Sequence, residues 1–309
     1  MRLATIDLGS NTVRLLVADV EPGSHGWRVV EADQRVTRLG EGLAASGRLG
    51  EAPAERTAAA VSEYVARARR AAAQRVAIVA TSAVREAANG REFAAAIERA
   101  TGEQVTIVSG DEEATLTLAG VLGGLDGGPA PPTATLVFDI GGGSTEYILA
   151  RARDPVATVS LRLGVVDLAE RYPFSGPVDW PRYRAMQAEI AGRLAAELPS
   201  EILAHSGRLV GTAGTATTLA ALDLRLHQYD PGRVQGHVLA RDAIERLLIR
   251  LGALTVAERG ALPCLEPGRA DLIVAGTGVV LATMDLIAAG QLIVSDWGLR
   301  EGMLIRLAS

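Results

Sequence analysis

The residues best suited to chemistry lie in one short stretch, DIGGGSTE, which runs from Asp139 to Glu146. Glycine loses much conformational freedom on folding, so three in a row indicate a close backbone approach or a turn through positive φ. The bare N–H groups of such a loop can bind an anion, and the flanking carboxylates suit a metal ion. A simple hairpin turn is the alternative, but it needs only one or two glycines and no adjacent acid.

An equivalent stretch, LATIDLGSNTVRLLVA, occurs near the N-terminus. The aligned residues are Asp7 with Asp139, Gly9 with Gly141, Ser10 and Asn11 with Gly142 and Gly143, and Thr12 with Ser144. One hairpin of this kind would be weak evidence, but two of them predict an internal duplication.

The composition narrows the possible functions. The chain has 309 residues, 48% of them hydrophobic, which is enough for two domains with separate cores. Its formal charge of −5 does not favour nucleic acid or anionic membranes as partners. All 31 basic residues are arginine, which excludes a Walker A loop and Schiff-base chemistry, because both need lysine. The single cysteine, Cys264, and four scattered histidines do not support a disulfide, a zinc site or a Ser-His-Asp triad.

The chain begins directly with a strand pattern, so we expect no signal peptide. The apolar run 272–294 is long enough to span a bilayer, but Asp285 and several glycines favour a buried helix followed by a strand. We therefore expect a soluble, cytoplasmic protein with no membrane partner.

The apolar periodicity predicts the same order of elements twice. The predicted strands lie at 3–8, 13–20, 27–39, 76–80, 105–108, 133–140, 145–151, 156–163, 208–211 and 291–294. The predicted helices lie at 53–74, 91–100, 111–122 and 179–198, from 214 through further helices to 290, and at 299–307. A glycine- and proline-rich linker at 123–132 separates the halves, which predicts domains at 1–125 and 126–309.

This order, βββαβαβα in each half with a leading Asp-Gly hairpin, resembles the duplicated, ribonuclease H-like fold of actin, sugar kinases and Hsp70. The resemblance implies two α/β domains around a phosphate-binding cleft, with the two hairpins facing one another across it. It also explains the glycines of the opening stretch, which would make room for a phosphate.

Further motifs stand where predicted strands end and helices begin, which is the edge where such sheets bind ligands. With the two hairpins, they resemble the exopolyphosphatase and guanosine pentaphosphate phosphohydrolase family in its short, two-domain form. The motifs are IDLGSNTVRLL, TSAVREAAN, SGDEEA, FDIGGGSTE, GTAGTATTLA, GRADLIVAG and SDWGLREGML.

The resemblance implies hydrolysis of a terminal phosphoanhydride, a reaction that needs a positioned water, a base and charge neutralisation. By family analogy Glu113 is the general base, and Glu112 is a neighbouring acid that supports the base or the metal. Asp139 and Glu146 would bind Mg²⁺ or Mn²⁺, and K⁺ is a further candidate cation. The expected phosphate-binding residues are Ser10, Asn11, Thr12, Arg85, Gly141, Gly142, Gly143 and Ser144. Considered alone, an acid such as Glu112 in the first turn of a helix is more often a cap.

One segment departs from the family pattern. Where the family usually has Gly-x-Val-Arg-Leu, this chain has GVVDL, with Asp167 in place of the arginine. Arg162, five residues earlier, is the candidate to replace that cation.

The expected substrate is inorganic polyphosphate, with guanosine pentaphosphate or tetraphosphate, the stringent-response alarmones, as the alternative, and a homodimer is expected. Two other functions stay open. A small-molecule kinase of the same fold would need an acceptor hydroxyl, and a non-catalytic polyphosphate or alarmone sensor would not need Glu113.

Overall fold

The computed structural model describes residues 1–21, 26–125 and 134–309. It divides into two compact units, one formed by Met1–Gly123 with Trp297–Ser309 and the other by Gly124–Asp296. Within the described ranges, no helix combines the length and the apolar character needed to cross a bilayer.

The first unit is built on a five-stranded sheet in the order β3-β2-β1-β4-β5. Strand β1 is antiparallel to β2 and parallel to β4, which is parallel to β5. The elements are β1 (Arg2–Leu8), β2 (Thr12–Val20), β3 (Trp27–Val36), α1 (Leu43–Ser46), α2 (Glu51–Arg70), β4 (Arg75–Ala80), α3 (Ser82–Glu86), α4 (Gly90–Thr101), β5 (Val105–Ile107), α5 (Gly110–Leu125) and the last helix of the chain, α14 (Leu299–Ala308).

Both faces of this sheet are covered. Alternate residues of β1 and β2, such as Ile6 and Leu15, pack in a core with Val61 and Tyr64 of α2. On the opposite face, Leu304 of α14 packs with other residues of β1 and β2. A strand buried on both faces reads as a nearly continuous apolar run, which is why β1 and β2 were recognisable in the sequence.

The position of α14 differs from the predicted domain division, which assigned residues 126–309 to the second domain. A Cβ at Gly302 of α14 would lie 1.8 Å from the Leu116 carbonyl oxygen of α5, so the two helices touch through their backbones. Trp297, just before α14, stacks on Trp27 with ring centroids 4.3 Å apart. These contacts place residues 297–309 in the first unit.

The second unit has a six-stranded sheet in the order β10-β11-β9-β6-β7-β8. Strands β6, β9 and β11 are parallel to one another. The elements are β6 (Thr135–Ile140), β7 (Thr145–Arg151), β8 (Asp154–Leu161), α6 (Val165–Arg171), α7 (Trp180–Glu197), α8 (Ser200–Leu203), β9 (Arg208–Thr212), α9 (Ala213–Asp223), α10 (Pro231–Val234), β10 (Val238–Ala240), α11 (Arg241–Gly252), α12 (Val256–Gly260), a 3-10 helix (Pro267–Arg269), α13 (Ile273–Leu286) and β11 (Gln291–Val294).

Helix α13 is apolar on all sides, and every residue from Ile273 to Met284 is buried. It packs against α7, α9 and α11, as expected for a helix in the middle of a large core. The apolar run 272–294 is therefore a buried helix followed by strand β11, as predicted.

The fold class is confirmed: each unit has three antiparallel strands followed by alternating helices and parallel strands, in the actin-like order. Several details were wrong, and the short helices α1, α6 and α8 were not predicted. Strand β3 ends at Val36 rather than 39, and the short edge strand β10 was predicted as part of a helical region. Of the predicted linker at 123–132, the first three residues end α5, and 126–132 lie outside the described residues.

Candidate active site

In the first unit, three parallel strands end at the same edge of the sheet, at Leu8, Ala80 and Ile107. The turn 9–12 follows β1, α3 follows β4, and α5 follows β5. All the predicted site residues of the first unit therefore lie at the carboxyl edge, where open α/β sheets bind their ligands. They are Ser10, Asn11, Thr12, Arg85, Glu112 and Glu113.

The turn after β1 is closed by a hydrogen bond from the Gly9 N–H to the Thr12 carbonyl, at 3.2 Å. Its two central carbonyls are also occupied: Thr37 N–H donates to Asn11 O, and Gly40 N–H donates to Ser10 O. These bonds draw the chain after Val36 out of β3, which explains the early end of that strand. The turn is therefore held from behind by backbone.

Asn11 is buried, and its Oδ1 has no hydrogen-bond partner among the described residues. An unpaired buried amide atom is unfavourable unless a ligand pairs with it. Turning the amide by 180° directs an Nδ2 donor to the same place, where it suits a phosphate oxygen. This observation supports Asn11 as a ligand contact.

Two side-chain contacts connect the turn with the helices that follow β4 and β5. The Oγ atoms of Ser10 and Ser82 share a buried hydrogen bond of 2.9 Å. At the other end of α3, Arg85 Nη1 donates to Glu113 Oε2 at 2.8 Å and to Val108 O at 2.9 Å. The sequence motifs TSAVREAAN and SGDEEA thus meet in the first unit.

Glu113 is only 8% exposed, and its carboxylate is held by Arg85. A charge-assisted hydrogen bond of this kind stabilises the negative charge that a general base needs. Arg85 has five N–H donors, so binding Glu113 leaves the guanidinium with further donors for phosphate oxygens.

Glu112 has a different environment. Its Oε2 accepts from Ser109 N–H at 3.0 Å, while its own N–H donates to Ser109 Oγ at 3.2 Å. This reciprocal pair is a capping box, which satisfies the free N–H groups at the start of α5. The capping explanation of Glu112 is thus seen directly, and its role beside Glu113 stays a prediction.

A cluster of charged residues that we did not predict lies on the α14 face of the sheet. Asp7, 6% exposed, is paired in register with Arg14, and Arg14 Nη1 lies 3.8 Å from Asp7 Oδ2. Burial raises the pKa of Asp7, while Arg14 and Arg300 act in the opposite direction and Glu301 raises it further. The sequence did contain a signal for this pair, because Arg14 follows Asp7 by seven residues, just as Glu146 follows Asp139.

In the second unit the parallel strands β6, β9 and β11 also end at one edge. The glycine turn after β6 is closed by Gly141 N–H donating to Ser144 O at 2.9 Å. Val165 and Val166 N–H groups donate to the carbonyls of Gly141 and Gly142. Gly141, Gly142, Gly143 and Ser144 thus form a turn held from behind by backbone, as in the first unit.

Close approach explains Gly141 and also Gly164, which packs against the turn. The glycines with left-handed φ in the described chain are Gly42, Gly47, Gly102 and Gly236, so the run 141–143 is not among them. A Cβ at Gly141 would lie 3.0 Å from Ser144 O, and one at Gly164 would lie 2.2 Å from Gly142 O. Of the two explanations expected from sequence, positive φ does not apply.

The two acids predicted to bind metal lie opposite one another. Asp139 on β6 pairs in register with Glu146 on β7, so both carboxylates are on the same face of the sheet. Glu146 is 2% exposed and accepts a 2.7 Å hydrogen bond from Ser160 Oγ. Among the residues that the structure describes, no group of three His, Cys, Asp or Glu side chains is placed to hold a metal. A pair of carboxylates still fits Mg²⁺, which commonly uses one or two, with water and phosphate oxygens completing its coordination.

Two other motifs meet at the start of α9. The guanidinium of Arg269, from GRADLIVAG, lies so close to Gly214, from GTAGTATTLA, that a Cβ there would be 1.8 Å from Nη1. Arg269 is buried and also lies 3.0 Å from Glu266. Both motifs were recognised in the sequence, but the sequence did not show that they lie close together.

The segment that departs from the family pattern forms the start of α6. Asp167 lies in the first turn and pairs with Arg171 at 2.9 Å. An acid in this position complements the helix dipole, which the usual arginine would oppose. Arg162 is exposed, and its replacement of the missing cation stays a prediction.

The duplicated topology and the loops at both carboxyl edges place the chain in the class of actin-like α/β proteins. Within that class it belongs to the Ppx/GppA phosphatase family, whose profile matches residues 16–309. It is 36% identical to exopolyphosphatase 2 of Mycobacterium tuberculosis, over 99% of this chain and 98% of that protein.

Further relatives agree with this placement. Exopolyphosphatase 1 of Mycobacterium bovis is 29% identical over 99% of this chain and 88% of that protein. The crystal structure of the Aquifex aeolicus member of the Ppx/GppA family is 33% identical, with a TM-score of 0.82 over 99% of this chain and 97% of that chain. The resemblance predicted from motifs is therefore confirmed.

Proposed function

We propose that this chain is an exopolyphosphatase, which hydrolyses the terminal phosphoanhydride bond of inorganic polyphosphate and releases orthophosphate. The family relationship supports a phosphoanhydride hydrolase. The observation that carries the proposal is the contact between Arg85 and Glu113, at 2.8 Å, at the carboxyl edge of the first sheet. It joins a carboxylate suited to act on water and a guanidinium suited to phosphate.

Glu113 acts as the general base. Its carboxylate takes a proton from the attacking water as the water oxygen bonds to the terminal phosphorus and the bridging oxygen leaves with the shortened chain. Phosphoryl transfer depends mainly on positioning and charge neutralisation, so one base and several cationic or N–H donors are sufficient. Burial of Glu113 keeps competing water away from the carboxylate.

Each unit carries donors suited to phosphate oxygens. In the first unit these are Arg85, the Asn11 side chain, and the backbone and hydroxyl groups of Ser10 and Thr12. In the second unit they are the N–H groups of the turn 141–144 other than that of Gly141, which donates to Ser144 O. The carbonyls of both turns accept hydrogen bonds from behind, which leaves these turns oriented to present N–H groups to an anion.

Asp139 and Glu146 would hold a divalent cation, Mg²⁺ or Mn²⁺, and K⁺ is a further candidate. When bound, the cation would neutralise negative charge on the phosphate oxygens. The two carboxylates, which share one face of the sheet, would hold it. Without a cation, the same acids would repel polyphosphate.

The test is the substitution Glu113→Gln. Loss of general-base catalysis is expected to lower the rate of phosphate release by about 10²-fold or more, with little change in substrate affinity. Asp111→Asn is the matched control, since Asp111 is an exposed acid in the same helical turn. Near-normal turnover of Glu113→Gln would overturn the assignment of the base, and Glu112→Gln would then be measured as the next candidate.

The substrate is tested separately with the unaltered protein. Phosphate release from long-chain polyphosphate, short-chain polyphosphate and guanosine pentaphosphate is compared under one set of conditions, with no acceptor present. If the protein prefers guanosine pentaphosphate, that compound replaces polyphosphate as the proposed substrate. Release that requires an acceptor hydroxyl would indicate a kinase, and tight binding without release would indicate a sensor. The homodimer and the cytoplasmic location stay predictions.

A further inference from the structure

Three adjacent strands of the second sheet carry polar residues in one row at the carboxyl edge. Asp139 on β6 is in register with Glu146 on β7, which is in register with Ser160 on β8. Directly opposite residues of antiparallel strands share a face, so the three side chains lie side by side. Ser160 closes the row on the outer strand of the sheet.

Ser160 Oγ donates to Glu146 Oε1 at 2.7 Å. Glu146 is 2% exposed, so water has little access to stabilise the charge of its carboxylate or to fix its orientation. A hydrogen bond from a hydroxyl to an ionised carboxylate is stronger than one between neutral groups. It also restricts rotation about the last torsion of glutamate, which is otherwise broad.

We propose that Ser160 is a positioning residue that fixes the Glu146 carboxylate for cation binding. The proposal rests on the proposed role of Glu146 and deepens it, because it names the group that orients this ligand. Hydrogen-bond partners that lie behind metal ligands typically contribute 10- to 100-fold to metal affinity. A hydroxyl that serves only the fold would leave cation affinity unchanged when it is removed.

The experiment measures Mn²⁺ binding to the full chain by calorimetry in the absence of substrate. Ser160→Ala is expected to weaken Mn²⁺ binding by about 10- to 100-fold. Ser160→Thr keeps the hydroxyl and is expected to restore most of the affinity. Thr158→Val is the control, because Thr158 lies two residues earlier on β8, opposite Ile148 instead of Glu146.

A second measurement separates positioning from catalysis. With Ser160→Ala, the Mn²⁺ concentration for half-maximal phosphate release should rise by a similar factor, while turnover at saturating Mn²⁺ stays close to that of the unaltered protein. Thermal unfolding of each variant, monitored by circular dichroism, shows whether the fold is retained. Restored affinity in Ser160→Thr excludes a general folding defect as the cause.

Measuring Glu146→Gln in parallel distinguishes failure of the Ser160 proposal from failure of the proposed role of Glu146. If Glu146→Gln weakens Mn²⁺ binding and Ser160→Ala does not, the role of Ser160 is overturned and the proposed function stands. If neither changes Mn²⁺ binding, Glu146 is not a ligand, and both assignments are overturned. If Ser160→Ala weakens binding and Ser160→Thr restores it, the positioning role is supported.

Discussion

The hairpins β1–β2 and β6–β7 have the same backbone but different charges. In both, the glycine after the strand donates to the carbonyl three residues on, Gly9 to Thr12 and Gly141 to Ser144. In both, the aspartate two residues before that glycine is paired across the hairpin. Asp7 faces the guanidinium of Arg14, whereas Asp139 faces a second carboxylate, Glu146.

This difference shows what a duplicated fold preserves and what it allows to change. The turn geometry is needed wherever backbone N–H groups must be presented at the edge of a sheet. The residue opposite the aspartate sets the local charge, because an opposite charge stabilises a buried carboxylate and a like charge does not. The first hairpin balances its acid internally, and the second concentrates negative charge that suits a cation.

The largest effect on stability and activity is expected from substitution of the glycines that pack against the backbone of each turn. A Cβ at Gly164 would lie 2.2 to 2.4 Å from backbone atoms of Gly142 and Gly143, whereas one at Gly40 would lie 3.2 Å from Ser10 Cβ. Gly164→Ala should therefore displace the glycine turn, lower the free energy of unfolding by about 3 kcal/mol and severely reduce phosphate release. Gly40→Ala should lower the free energy of unfolding by less than about 1 kcal/mol.

Urea unfolding and initial rates of phosphate release measure both variants. Equal loss of stability in the two would contradict the claim that the second turn is the more tightly packed. Normal activity of Gly164→Ala would show that the position of the glycine turn is not critical.

A smaller effect is expected from the acids. Asp139→Asn removes one carboxylate of the pair and should raise the Mg²⁺ concentration for half-maximal activity by about 10-fold or more. Asp7→Asn should leave this concentration unchanged, because Asp7 faces Arg14. A titration of activity with Mg²⁺ after treatment with a chelator measures both. Hydrolysis by metal-stripped protein at the full rate would refute the cation role of the second hairpin.

The smallest effect concerns pH and Asp7. Its raised pKa, caused first by burial, means that the folded state binds this proton more tightly than the unfolded state. The contribution of Asp7 to the free energy of unfolding therefore falls as pH rises above the ordinary carboxyl pKa of about 4. Asparagine does not titrate, so the stability of Asp7→Asn relative to the unaltered protein should increase from about pH 4 toward neutrality.

Urea unfolding at several pH values provides the measurement. A difference in stability that stays constant with pH would mean that Arg14 and Arg300 balance burial at this site, and a difference that decreases as pH rises would mean that they outweigh it.

The sequence predicted those parts of the molecule that depend on local pattern. The glycine turns, the strands of the hairpins and the apolar helix α13 follow from spacing and from the conformational properties of glycine. Asp139 and Glu146 could be paired from sequence because a short turn fixes the register of a hairpin.

Contacts between distant segments were not predictable in this way. The bond between Arg85 and Glu113 depends on the parallel alignment of β4 with β5. The contact of Ser160 with Glu146 depends on the register of β8, which has an irregularity near Ala150. The position of α14 depends on glycines that allow close helix packing, and such glycines resemble any others in a sequence.

The placement of α14 has a consequence for how the protein is made. The second unit is one continuous segment, Gly124–Asp296, whereas the first unit is completed by Trp297–Ser309. During synthesis on a ribosome, every residue of the second unit is translated before the helix that covers β1 and β2. Domains usually fold in order from the N-terminus. In this chain we expect the opposite order. The first unit is translated from the N-terminus onward, but it is the last to acquire its complete core.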